Sequence, residues 1–156
     1  MIKKLQEDDN AVSVSVGSIL IFSISVIAFI MLMNSFFSMM DQTERTVTRE
    51  EFETYGNDLA FQLTSVDTAI TKTKFSGGNI EYLKYEFTIP DKVAGEYYSV
   101  NFSNESNEIT FKSQNQVMVK IPYTIKSADL ESNTIHSSST NHYFLYNSSK
   151  NLIEVH

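Results

Sequence analysis

Thirty consecutive residues, Ala11 to Met40, carry no charged side chain. A helix rises about 1.5 Å per residue and the hydrocarbon core of a bilayer is about 30 Å thick, so roughly twenty apolar residues suffice to cross it. Val12 to Phe36 meets that length, and its centre, Ile19 to Met33, is broken only by Ser23 and Ser25. A serine hydroxyl in a helix can bond back to the carbonyl one turn earlier, so neither residue strongly opposes burial in an apolar medium. A core helix of a water-soluble domain accounts for about 10–14 such residues and leaves the rest unexplained. Residues 12–40 therefore read as a helix that lives in membrane lipid or an equally apolar environment.

Of the 156 residues, 41–156 are left for one modest domain. The mean hydropathy of the whole chain is −0.18 despite the apolar run, so this remainder is distinctly polar and reads as water-facing. The net charge is −7 and Lys and Arg are nowhere clustered, which argues against nucleic acid as a partner. There is no cysteine, so disulfides, thiolate metal sites and cysteine nucleophiles are excluded. Lys3 and Lys4 are separated from the apolar run by Glu7, Asp8 and Asp9, and no small-x-small site follows the run. Both features are wrong for an ordinary secretory signal. With Lys3 and Lys4 on one side and Arg45 and Arg49 on the other, the positive-inside rule is nearly balanced and gives no orientation.

The junction from Asp8 to Gly17 is more informative. A short charged leader, the small residue Ala11, then Val12-Ser13-Val14 at the very start of a long apolar helix resembles the class III leader of archaeal type IV pilin-like proteins. The order of further features is similar to the same group: an amphipathic stretch, Ile89-Pro90, Val93 to Gly95, Tyr98, and a valine-rich strand ending at Pro122. The resemblance implies a leader at 1–11, cut by a prepilin peptidase on the cytoplasmic side between Ala11 and Val12. It also implies an extracytoplasmic C-terminal domain and assembly with like or related pilin subunits through the apolar helix. Two residues depart from the pattern: Asn10 stands where a basic residue often precedes the small one, and Val16 occupies the fifth mature position, where many pilins carry glutamate. The alternative is a permanent single-pass surface protein whose domain binds a ligand or envelope component.

Read on their own residues, 41–71 predict a second helical stretch. Phe52, Tyr55, Leu59, Leu63, Val66 and Ile70 recur at steps of three and four, one apolar stripe. The stripe suits packing on a sheet of the same domain, with a partner-helix seam as the alternative. No proline occurs between 12 and 71, so the two stretches can join into one helix, with Asn34 to Asp41 or Gly56 as places for a bend. After the turn signal Ser76 to Asn79 the apolar period changes to two. Strands are expected over 83–89, a hairpin over 98–111, a strand over 117–123, and a last hairpin formed by 142–146 and 152–155. The predicted fold class is α+β: a long N-terminal helix whose amphipathic part covers a small antiparallel sheet or sandwich in 80–156.

Residues with chemistry are sparse. His136, His142 and His156 lack the i,i+4 spacing or adjacent carboxylates of a metal site, so no metal or cofactor is expected. Glu50, Glu51 and Glu53 point different ways on a helix and read as a solvated face, and no nucleophile elbow, phosphate loop or dinucleotide fingerprint occurs. The expectation is a non-enzyme. Asn101, Asn104 and Asn147 each begin an Asn-X-Ser sequon at an expected turn or strand end; in a chain rich in Asn, Ser and Thr such matches also arise by chance. Small residues gather on the first turns of the apolar helix: Ala11, Ser15, Ser18 and Ser25 along one side, and Ser13 with Gly17 as a small-xxx-small pair. Either two helix backbones approach there, or small residues merely occur in a permissive apolar helix.

Overall fold

The computed structural model describes the backbone of residues 2–156 and the side chains of residues 14–156. One helix, α1 (Ile2–Phe75), precedes eight strands: β1 (Tyr82–Phe87), β2 (Tyr98–Ser103), β3 (Glu108–Ser113), β4 (Met118–Pro122), β5 (Asp129–Leu130), β6 (Asn133–His136), β7 (His142–Asn147) and β8 (Leu152–Val155). The class is α+β. The chain divides into two compact units, Met1–Thr43 and Glu44–His156. Neither Asn34 to Asp41 nor Gly56 interrupts the helical backbone.

The helix stops at Phe75 for a local reason. The Gly78 N–H donates to the Thr73 carbonyl at 3.0 Å and the Gly77 N–H to Lys74 at 3.1 Å, with Gly77 at φ +73°. This is the Schellman arrangement, which needs a left-handed residue that glycine supplies without a Cβ penalty. Lys72 and Lys74 in the last turn complement the negative end of the helix dipole.

In the second unit the strands form two four-stranded sheets, ordered β4-β3-β2-β6 and β1-β7-β8-β5. The first is antiparallel throughout, and in the second only the short β5–β8 pair is parallel. Both expected hairpins form: β2 pairs with β3 from Tyr98↔Ser113 to Ser103↔Glu108, and β7 with β8 from Phe144↔Val155 to Asn147↔Leu152. Their turns place Asn107 and Asn151 at positive φ, a conformation that Asn tolerates better than most residues. The stretch 124–141, read from sequence only as polar connection, contributes β5 and β6 and buries Ala128, Leu130 and Ile135.

The inner faces of both sheets and the predicted helix stripe share one core. Phe52, Leu59, Leu63, Val66 and Ile70 are buried and Tyr55 is half-buried against them. Phe52 lies with its ring centroid 5.1 Å from Tyr98 and 5.3 Å from Phe111, and Phe102 meets Phe144 edge-on at 5.9 Å, which joins the two sheets. Gly56 sits in this stripe because the helix and sheet approach too closely for a side chain. A Cβ there would collide with Ile121 Cδ1, lie 2.7 Å from its Cγ1 and 3.2 Å from Phe111 Cε2. The glycine that reads as a helix interruption is a packing residue.

Two substitutions measure this core in a fragment starting at Asp41, which we expect to fold as a soluble domain. Gly56→Leu should cost about 1–3 kcal/mol by overpacking. Leu63→Asp should cost more than about 4 kcal/mol, because an unpaired charge would face the sheets. Denaturant unfolding followed by circular dichroism reads both; a Gly56→Leu midpoint equal to the parent's would show that the close approach does not exist.

Candidate functional site

The first unit presents one unusual surface. Every Val, Ile, Leu, Met and Phe from Val14 to Met40 is at least 37% exposed, and Phe22 reaches 71%. The most apolar 18-residue window of α1 has a mean hydropathy of 2.6 and is entirely unburied. This one helix near the N-terminus is long and apolar enough to cross a membrane, as a single-pass anchor would be. The serines do not spoil it, since Ser18 donates to the Val14 carbonyl (2.9 Å), Ser23 to Ile19 (2.8 Å) and Ser25 to Ile21 (2.9 Å). A hydroxyl bonded to its own backbone adds no unmet donor to an apolar medium.

Of the proposed packing positions, Ser15, Gly17, Ser18 and Ser25 lie among the described side chains, and Ser13 lies outside them. A Cβ at Gly17 would meet nothing within 4 Å, so its lack of a side chain serves no contact within this chain. The Ala11–Val12 cleavage position also lies outside the described side chains.

On the second unit the sequence-predicted polar residues are dispersed. His136 ends β6 in one sheet, while His142 begins β7 in the other and stacks on Phe87 with centroids 5.7 Å apart. His156 stacks on Tyr143 at 4.8 Å, with Nε2 3.7 Å from a Glu154 carboxylate oxygen. Among the described residues no three His, Cys, Asp or Glu side chains gather into a group that could hold a metal ion. The sequons differ in setting. Asn101 lies inside β2, not at a strand end, and its amide donates to Thr134 Oγ1 at 2.7 Å. Asn147 ends β7 and its side-chain oxygen accepts the Ser149 N–H at 3.0 Å. Asn104 is exposed in the β2–β3 turn.

One residue not singled out in the sequence organises this surface. Asp67 falls beside Val66 on the buried stripe, and its carboxylate accepts the backbone N–H groups of Ser127 (2.7 Å) and Lys126 (3.0 Å). Thr71 Oγ1 bonds Ser127 Oγ in the same place. The helix thereby holds the segment that leads from β4 to β5. An acidic residue within an apolar stripe was the available sequence signal. The clasp forms one wall of an open groove of about 540 Å³, lined by Thr64, Thr68, Thr71, Phe75, Thr124 and Lys126 besides the clasp itself.

Two buried phenols report on the second unit. Burial pushes Tyr123 up from its ordinary 10.0 to about 12, and its hydroxyl donates to the Ser103 carbonyl at 2.9 Å. Burial pushes Tyr98 up as well, and its hydroxyl donates to the Pro90 carbonyl at 2.7 Å. Above pH 10 the unfolded chain gives up these protons while the folded chain keeps them, so stability falls as pH rises. We expect unfolding midpoints to drop between pH 10 and 12, and Tyr123→Phe to flatten the drop. An equally steep profile in that variant would assign it elsewhere.

A family model described as a family of unknown function (DUF7266) matches residues 7–156, from Glu7 through the last strand. No curated protein and no solved structure matches the chain.

Proposed function

The chain belongs to DUF7266, a family of unknown function, and we propose that it is a type IV pilin-like structural subunit of an archaeal cell-surface filament. In this reading Lys3 and Lys4 are cytoplasmic, the apolar helix sits in the membrane before assembly, and the acidic β-domain faces outward. The role is structural rather than catalytic. The observation that carries the reading is the uncovered apolar surface from Val14 to Met40, on a helix that continues into the domain with no intervening turn. A tether alone needs roughly twenty apolar residues and no continuity with the domain beyond them. A helix apolar on every side can exchange lipid for the helices of other copies without exposing its surface to water. The resemblance of the Asp8 to Gly17 junction to a class III leader supports the same reading, with a prepilin peptidase as the maturing partner.

Mass spectrometry of the mature N-terminus in the native host tests it. Val12 is the expected first residue, whereas an intact Met1 or Ile2 favours a permanent surface anchor. Ala11→Trp should block the cut and leave a membrane-held precursor. Gly17→Leu should insert normally, since Leu is at least as apolar, but should lower the ratio of sheared extracellular protein to membrane-held protein by keeping helices apart. An unchanged ratio, with equal expression and processing, would leave Gly17 without a packing role.

A further inference from the structure

The side of α1 turned away from the sheets carries an uncharged line. Val47, Thr54, Phe61, Thr68 and Phe75 recur at every seventh residue. Phe61 stands two positions from both Leu59 and Leu63, about 160° round the helix from the core stripe. It is 71% exposed and Phe75 is 88% exposed. The threonines on this side do not make it polar. Thr54, Thr64 and Thr68 donate their hydroxyl protons to the carbonyls of Glu50, Ala60 and Thr64 at 2.8–2.9 Å. With their protons held by the helix backbone they offer acceptor lone pairs but no donors.

The charges beside the line are divided by position. Glu50, Glu51 and Asp58 flank its first half, and Arg45 and Arg49 lie two positions from Val47, on the opposite side of the helix. Lys72 flanks its second half and Lys126 lines the neighbouring groove, where the carboxylate of Asp67 is already held by backbone N–H groups. A second concavity, of about 310 Å³, lies over the acidic half between Val47, Glu50, Glu51, Thr54 and Tyr55. The face is thus acidic at one end and basic at the other, with Val47, Phe61 and Phe75 exposed along it, which makes it complementary to itself.

We propose that this face docks on a second copy of the chain, the Phe61–Phe75 end of one copy lying against the acidic Val47–Asp58 end of the next. The direction rests on the filament reading, in which copies share one membrane orientation and their helices run parallel. A parallel pair brings opposite charges together only when shifted along the axis. Setting Lys72 of one copy beside Glu51 of the next requires three heptads, roughly 30 Å of helix. Such a contact uses different surfaces on the two partners, so it repeats into an open chain instead of closing into a dimer.

The absence of cysteine makes the contact directly testable in the full-length protein. Val47→Cys, Thr68→Cys and the double variant, which have the same three-heptad offset and keep Glu51 and Lys72, are produced in the native host, and intact cells are treated with a short bis-maleimide. The double variant should give a ladder of covalent oligomers on a denaturing gel, and each single variant should stay monomeric. Lack of a ladder overturns the contact, as does a single variant that dimerises as strongly as the double, because that is the mark of a symmetric pair. Electron microscopy of the parent cells separates the two ideas. Filaments without a ladder retain the pilin-like reading and remove this contact, while a ladder from cells that make no filament retains the contact and removes the filament. The charge swap Glu51→Lys with Lys72→Glu should restore a yield of cross-linked oligomers, read through the same Val47→Cys and Thr68→Cys pair, that either change alone reduces several-fold. Equal yields in all three variants would show that charge does not set the register.

Discussion

A helix whose apolar side chains point in every direction has to be surrounded by something other than water. From Val14 to Met40 this chain covers none of that surface itself. Each square ångström of apolar surface left in water costs about 25 cal/mol, and nineteen of the twenty-seven positions of this stretch are apolar. The backbone raises no objection to leaving water, since a helix satisfies its own N–H and C=O groups, and Ser18, Ser23 and Ser25 satisfy their hydroxyls in the same way. Lipid and neighbouring helices are the two surroundings that meet the demand. The proposed subunit uses them in succession.

Further along, the same helix solves a different problem. Between Thr48 and Ile70 only one stripe is buried, and the two sheets supply its cover. Close approach at Gly56 and the Asp67 carboxylate on two backbone N–H groups fix how helix and strands meet. A carboxylate that accepts two backbone hydrogen bonds is a strong anchor, because charge-assisted bonds are roughly twice as strong as neutral ones. The opposite side of this stretch keeps Phe61 and Phe75 in the open, the place where the proposed copy-to-copy contact would form.

Periodicity made the larger elements legible. Steps of three and four marked Phe52 to Ile70 as the buried stripe, and steps of two marked Tyr98 to Phe102, Ile109 to Phe111 and Val117 to Tyr123 as inward faces. Hairpins were readable because their partners adjoin in sequence. The pairings of β1 with β7, β6 with β2 and β5 with β8 were not, since each joins segments far apart or crosses other strands. β5 has two residues and β6 four, too few for a period to stand out from the Ser, Thr and Asn around them. Gly56 was visible as a residue but not as a contact, because its meaning lies in Ile121 and Phe111. The proposed site was half legible. The charge-free run announced the long apolar helix, whereas Phe61 and Phe75 became distinctive only once the core side of the helix was known.

In the proposed subunit the span from Val14 to Met40 leaves lipid and remains covered. A single cysteine placed at Phe29, in the middle of the span of this cysteine-free chain, reports on it directly. Sheared, lipid-free extracellular material from the native host is treated with a water-soluble maleimide before and after denaturation. The chain should be present there with its span intact, unlabelled at first and labelled once denatured. A chain found only in the membrane fraction, or a cysteine that reacts at once in the sheared material, would contradict it.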